Sequence, residues 1–139
     1  MRALVVLGGA LLVGAVSFAA MTLYALEDND VIVLRTHPPA GAMRTTRTWV
    51  AVDGAALWVE AAQPERPFYR HLLVNPEVEV ERNGAVRRYR ATPIGNPDGH
   101  ARIRAMLAQK YGWADWWISL LQDTSRSVAV RLDPLEESR

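Results

Sequence analysis

The segment Ala3–Leu26 constrains this chain most: twenty-four consecutive positions carry no charge. Only Ser17, Thr22 and Tyr24 bring polar side-chain groups to it. At 1.5 Å per residue a helix of that length spans roughly 36 Å, more than a hydrocarbon core of about 30 Å. Backbone groups in lipid must be satisfied internally, so the segment is expected to be helical. We read residues 1–26 as a single-pass transmembrane anchor and 27–139 as the domain it carries. Glu27, Asp28 and Asp30 mark the end of the apolar run. A cleaved signal peptide is the alternative, because Ser17-Phe18-Ala19 offers small residues at a cleavage site. The apolar run nevertheless exceeds the usual signal core of about 7–15 residues, which favours retention. Orientation stays open: Arg2 argues for an inside N-terminus, and Arg35, Arg44 and Arg47 pull the other way.

The 113 residues from Glu27 to Arg139 suffice for one ordinary core. Arg2 is the only charge before Glu27, so this part balances at 15 basic against 15 acidic residues. Such balance argues against an electrostatically driven nucleic-acid binder. The absence of Cys excludes disulfides, thiolate metal sites and thiol nucleophiles. His37, His71 and His100 are widely spaced, and neither a GxSxG nor a P-loop motif occurs. No metal site or nucleophilic triad is therefore expected.

Val31–Leu34 is a β-branched run that reads as a buried strand, ended by His37-Pro38-Pro39. The Thr-, Val- and Trp-rich run Arg44–Val52 is expected to pair with Ala56–Ala61 across an Asp53-Gly54 turn. Pro67 and Asn75-Pro76 bracket a short helix over Phe68–Asn75. In Glu77–Arg82, Val78 and Val80 alternate with glutamates, as in a half-exposed strand. Asn83-Gly84 turns it into Ala85–Thr92, whose Arg87 and Arg88 are placed to neutralise the glutamates. Asn96 as N-cap and Pro97 at the first position open a helix with Ile103, Met106 and Leu107 on its buried stripe. Gly112 interrupts it before a second apolar stripe at Trp113, Trp116, Trp117, Leu120 and Leu121. Ser127–Asp133 alternates as a last strand. About six strands and two or three helices, with two hairpins around a helix, give a mainly β fold: an antiparallel sheet closing into a small barrel.

Gly41 to Trp49 places a glycine loop, Arg44, Arg47 and three threonine hydroxyls at a strand entry. Loop amides, hydroxyls and a guanidinium fork match the needs of a phosphate, although threonine is also an ordinary strand residue. The tryptophans admit three readings: core, membrane interface, or the wall of a pocket for a flat ligand. His71, beside Arg70, reads as a structural or surface histidine.

Arg44-Thr45-Thr46 entering a strand, then Asp53-Gly54, Tyr69–Leu72 and Asn75-Pro76-Glu77-Val78-Glu79-Val80, resembles the deazaflavin (coenzyme F-420)-dependent nitroreductase and quinone reductase family. Tyr111-Gly112, Arg126 and the strand ending Leu132-Asp133-Pro134 extend the likeness over about residues 31–134. That family belongs to the split β-barrel flavin-binding group. The resemblance implies a two-electron oxidoreductase that transfers hydride from reduced deazaflavin, or less readily FMN, to a quinone or nitro compound. The resemblance also implies roles by position: Gly41, Arg44, Thr45 and Thr46 would hold the cofactor phosphate. Trp49 and Val50 would lie beside its ring, and Tyr69 and His71 would complete the cofactor side. Phe68, Trp113, Trp116 and Trp117 would form the acceptor wall. No catalytic residue is assigned. A bilayer anchor suits a lipid-soluble quinone, and a cofactor made in the cytoplasm places the domain on that face. Members of the group are often homodimers. Pro38-Pro39-Ala40 stands where family members often carry Lys or Arg with Ser. This departure motivates the alternative of a non-enzymatic anchored module that binds a flavin-like or apolar ligand, or a protein partner.

Overall fold

The computed structural model describes residues 2–27 and 30–136; the expected end marker Asp28 lies outside them. Helix α1 (Arg2–Glu27) leads into β1 (Val31–Thr36), β2 (Arg44–Trp49), β3 (Ala51–Asp53) and β4 (Ala56–Ala61). After α2 (Pro67–Val74) come β5 (Glu77–Arg82), β6 (Ala85–Ile94), α3 (Asp98–Tyr111), α4 (Trp113–Leu121) and β7 (Val128–Pro134). All strands pair antiparallel in the order β2-β1-β5-β6-β7-β4-β3. The result is a split β-barrel, mainly β, with seven strands rather than about six.

The extra strand comes from Val50. The run expected as one strand over Arg44–Val52 is two, β2 and β3, and they occupy opposite edges of the sheet order. Arg44–Trp49 pairs with β1, and only Ala51–Asp53 forms the Asp53-Gly54 hairpin with β4. One residue joins the two edges, so the sheet must curl to let the chain change partners. Val50 leaves the ladder fully buried, and its backbone groups need other partners. Tyr111 and Lys110 at the end of α3 provide them. The Tyr111 hydroxyl accepts from the Val50 N–H at 3.1 Å. It donates its single proton to the carbonyl of Val50 (2.9 Å) or of Asp30 (2.7 Å). Lys110 Nζ also donates to the Val50 carbonyl at 2.6 Å.

Two cores flank the sheet. Alternate residues of β1, β4, β5 and β7 (Ile32, Leu34, Val59, Val78, Val80, Val130 and Leu132) pack with Phe68 and Leu72 of α2. On the opposite side Trp58, Ala129, Ile103, Leu107, Tyr111 and Ala114 enclose Ala25 from the end of α1. The first helix is thus seated on the domain by its last turns, while its stretch Val6–Leu26 is otherwise uncovered. Arg88 bonds Glu77 at 2.7 Å, but that pair is largely exposed and contributes little.

α3 starts one residue later than expected, at Asp98. The N-cap position therefore falls to Pro97 and not to Asn96, which lies one residue earlier, although its Oδ1 still accepts from the His100 N–H at 3.1 Å. Gly99 is the residue that lets this end approach β6, because a Cβ there would overlap the Ile94 carbonyl. Gly112, at φ 52°, separates α3 from α4.

Candidate functional site

A cavity of about 380 Å³ opens between β2, the end of β4 and helices α2, α3 and α4, with Leu26 of α1 at its border. This size lies in the range of small-molecule sites. One wall carries Arg44, Thr46, Arg47 and Thr48 of β2, together with Arg66 just before α2. Three guanidinium groups around one space favour an anion. Pro67 at the start of α2 and Phe68 add apolar surface.

The opposite wall is acidic and tightly tied. Arg104 of α3 donates to Glu60 Oε2 at 3.0 Å, to both oxygens of Asp115 at 2.8 and 2.7 Å, and to Ser119 Oγ at 2.9 Å. Burial alone would disfavour the Arg104 charge. The carboxylates of Glu60 and Asp115 more than offset this and hold its pKa above the usual arginine value. Asp115 is the single charged residue of α4, and it is buried while Trp113 and Trp116 of that helix are exposed and Trp117 packs partly buried against the core.

Two buried polar atoms of cavity-lining residues have no hydrogen-bond partner among the described residues: Trp49 Nε1, a donor, and Glu60 Oε1, an acceptor. Buried polar groups are otherwise nearly always paired. The Trp49 ring is itself fixed by stacking on Tyr111, with centroids 4.4 Å apart.

Arg44, Thr46 and Trp49, expected on the cofactor side, and Phe68, expected on the acceptor wall, line one space. The other expected positions lie elsewhere. Gly41, at φ 111°, belongs to the loop entering β2. Thr45 pairs with Arg35 in the β1–β2 register and does not line the cavity. Val50 is the buried corner behind Trp49. Tyr69 packs on the core, and His71 Nδ1 meets Thr36 Oγ1 at 3.1 Å. Trp113, Trp116 and Trp117 lie outside the cavity: the first two are exposed, and Trp117 packs between the core and α1. Sequence reasoning missed Glu60, Arg66, Arg104, Asp115 and Ser119. Glu60 and Arg104 are 44 residues apart, and nothing in local spacing announces their pairing.

The sequence profile of the F420H(2)-dependent quinone reductase family matches residues 16–133. The chain belongs to that family. Its members are deazaflavin-dependent oxidoreductases, so the chain is an F-420-dependent reductase by family. No curated protein matches the sequence. Solved structures share the fold at low identity. An F420 reductase is 20% identical with a TM-score of 0.54, over 82% of this chain and 93% of its own. An FAD-binding protein from Mesorhizobium loti is 20% identical with a TM-score of 0.56, over 85% and 90%. HutZ, the heme storage protein from Vibrio cholerae, is 17% identical with a TM-score of 0.59, over 81% and 87%.

Proposed function

We propose that this protein is a membrane-anchored reductase, with residues 1–26 as a single-pass anchor and 27–139 as the catalytic domain, acting on a quinone from the bilayer. The observation that carries the site assignment is that two cavity-lining residues, Trp49 and Glu60, each hold a buried polar atom without a partner among the described residues, in a cavity also lined by Arg44, Arg47 and Arg66. A flat heterocycle bearing both an N–H and a carbonyl, with an anionic side chain, would satisfy both atoms and the guanidinium groups. The deazaflavin cofactor has that composition, so the residues fit it. When bound and reduced, it supplies hydride to the acceptor.

The chain's own residues bind and orient. Arg44, Arg47 and Arg66, with the Thr46 and Thr48 hydroxyls, hold the phosphate and the anionic tail. Arg47 and Arg66 supply the positive charge that Pro38-Pro39-Ala40 does not. Gly41 shapes the entering loop, and Thr45 fixes the β2 register. Trp49 and Glu60 orient the ring, with Val50 and Tyr111 holding Trp49 in place. Phe68 excludes water from the reacting face. Tyr69 and His71 keep α2 against the barrel. The anchor places the domain where quinone concentration is high, on the cytoplasmic face where the cofactor is made.

Loss of one charge-assisted contact costs about 1.5–3 kcal/mol, so Arg44→Ala should weaken F-420 binding roughly 10- to 100-fold. Unchanged affinity in a folded variant would sink the phosphate role of Arg44.

A further inference from the structure

Helix α4 is built the wrong way round for a water-soluble protein. Its one charged residue, Asp115, is buried against Arg104. Its outer face carries Trp113, Trp116, Leu120 and Leu121, exposed at 47%, 62%, 63% and 49%. That face is continuous with α1. Tyr24 stacks on Trp113 with ring planes 9° apart, and Phe18 lies against Trp117 with centroids 5.4 Å apart. The Trp117 indole N–H donates to Thr22 Oγ1 at 3.1 Å.

We infer that α4 lies in the membrane interface beside the end of the span, outer face in lipid and inner face on the cavity, so that the acceptor reaches the cavity from the bilayer. This rests on the anchor reading above. Depth supports it. Phe18 and Tyr24 precede Leu26 by eight and two residues, so α4 contacts α1 over roughly 3–12 Å of its final rise. Interfacial amphipathic helices sit about 5–10 Å into the headgroup boundary. Indole and phenol rings favour that level, where the apolar body is buried and the polar tip is wet. Trp117 and Thr22 satisfy each other, as groups at the edge of lipid must. On the other side of α4, Asp115, Ile118 and Ser119 line the cavity, and Leu26 borders it from α1. The same short helix therefore separates lipid from the site.

The test uses the full chain reconstituted in phosphatidylcholine vesicles containing lipids brominated at a shallow or a deep acyl position. The protein should float with the vesicles. Shallow bromines should quench tryptophan emission more than deep ones, and W113F/W116F should lose most of that shallow quenching. Trp49, Trp58 and Trp117 remain in both proteins: the first two sit within the domain, and Trp117 is partly buried between its core and Phe18 of α1, so the difference between the two proteins reads Trp113 and Trp116 alone. Circular dichroism of the double variant confirms folding. Flotation with equal quenching of wild type and variant would overturn the interfacial helix and leave the anchor standing. So would a detergent-solubilised dimer that W116D/L120D dissociates, which would assign the face to a second copy. Failure to float would overturn both the anchor and this inference.

Discussion

Tyr111→Phe isolates the hydroxyl that closes the barrel. The ring and its stack on Trp49 stay, and the Val50 carbonyl keeps Lys110 Nζ at 2.6 Å. What is lost is the acceptor for the Val50 N–H, in a residue with no exposed surface. Leaving a buried donor unpaired costs about 1–3 kcal/mol. For a domain of this size each kcal/mol shifts Tm by roughly 4 °C, so Tm should fall by about 4–12 °C. Thermal unfolding of the full chain in detergent, followed by near-ultraviolet circular dichroism, reads this directly. Tyr111→Leu also removes the stack and should fall further. The corner positions Trp49, so F-420 affinity should weaken in Tyr111→Phe even below the unfolding range. A variant melting within 1 °C of wild type, with unchanged affinity, would refute the view that this hydroxyl holds the strand change.

Three further outcomes follow from the same geometry. Burial, only partly offset by the hydrogen bond to Val50, pushes the Tyr111 pKa up from 10.0 to about 12. A pKa raised on folding gives stability that is complete below pH 10 and lost as pH rises towards 12. The stability gap between wild type and Tyr111→Phe should therefore narrow over that window in alkaline unfolding titrations. Arg104→Met leaves two largely buried carboxylates without their cation, which costs about 3–5 kcal/mol; Tm should drop steeply, and adding Glu60→Gln should restore part of it. On the proposed anchor, Val16→Arg would place a charge mid-span at about 2.5–3.5 kcal/mol on insertion scales, so alkaline carbonate should extract the variant and leave wild type in the membrane.

The parts of the fold legible in the sequence were those governed by local chemistry. Asn83-Gly84 and Asp53-Gly54 announced their turns, Pro67 and Asn75-Pro76 bracketed α2, and the Val78/Val80 alternation gave the buried face of β5. The change of partner at Val50 left no such mark. Val50 sits in a run of good strand residues, and its departure from the ladder is set by Tyr111, 61 residues away. The site divides in the same way. Arg44, Thr46 and Trp49 share one strand and could be grouped from sequence. Glu60, Arg104, Asp115 and Ser119 meet only through the packing of β4, α3 and α4. The stripe of tryptophans in α4 was visible. Its direction was not, because an outward apolar face and an inward one have the same period.

The most direct test of the account is a titration of the full chain in detergent with coenzyme F-420 and, separately, with FMN, followed by fluorescence quenching. F-420 should bind with a Kd of about micromolar order, and with reduced F-420 in excess over protein, adding a quinone should oxidise many equivalents of the cofactor per protein. Binding of FMN alone, or of neither cofactor by folded protein, would contradict the assignment of the Trp49–Glu60 cavity as a deazaflavin site.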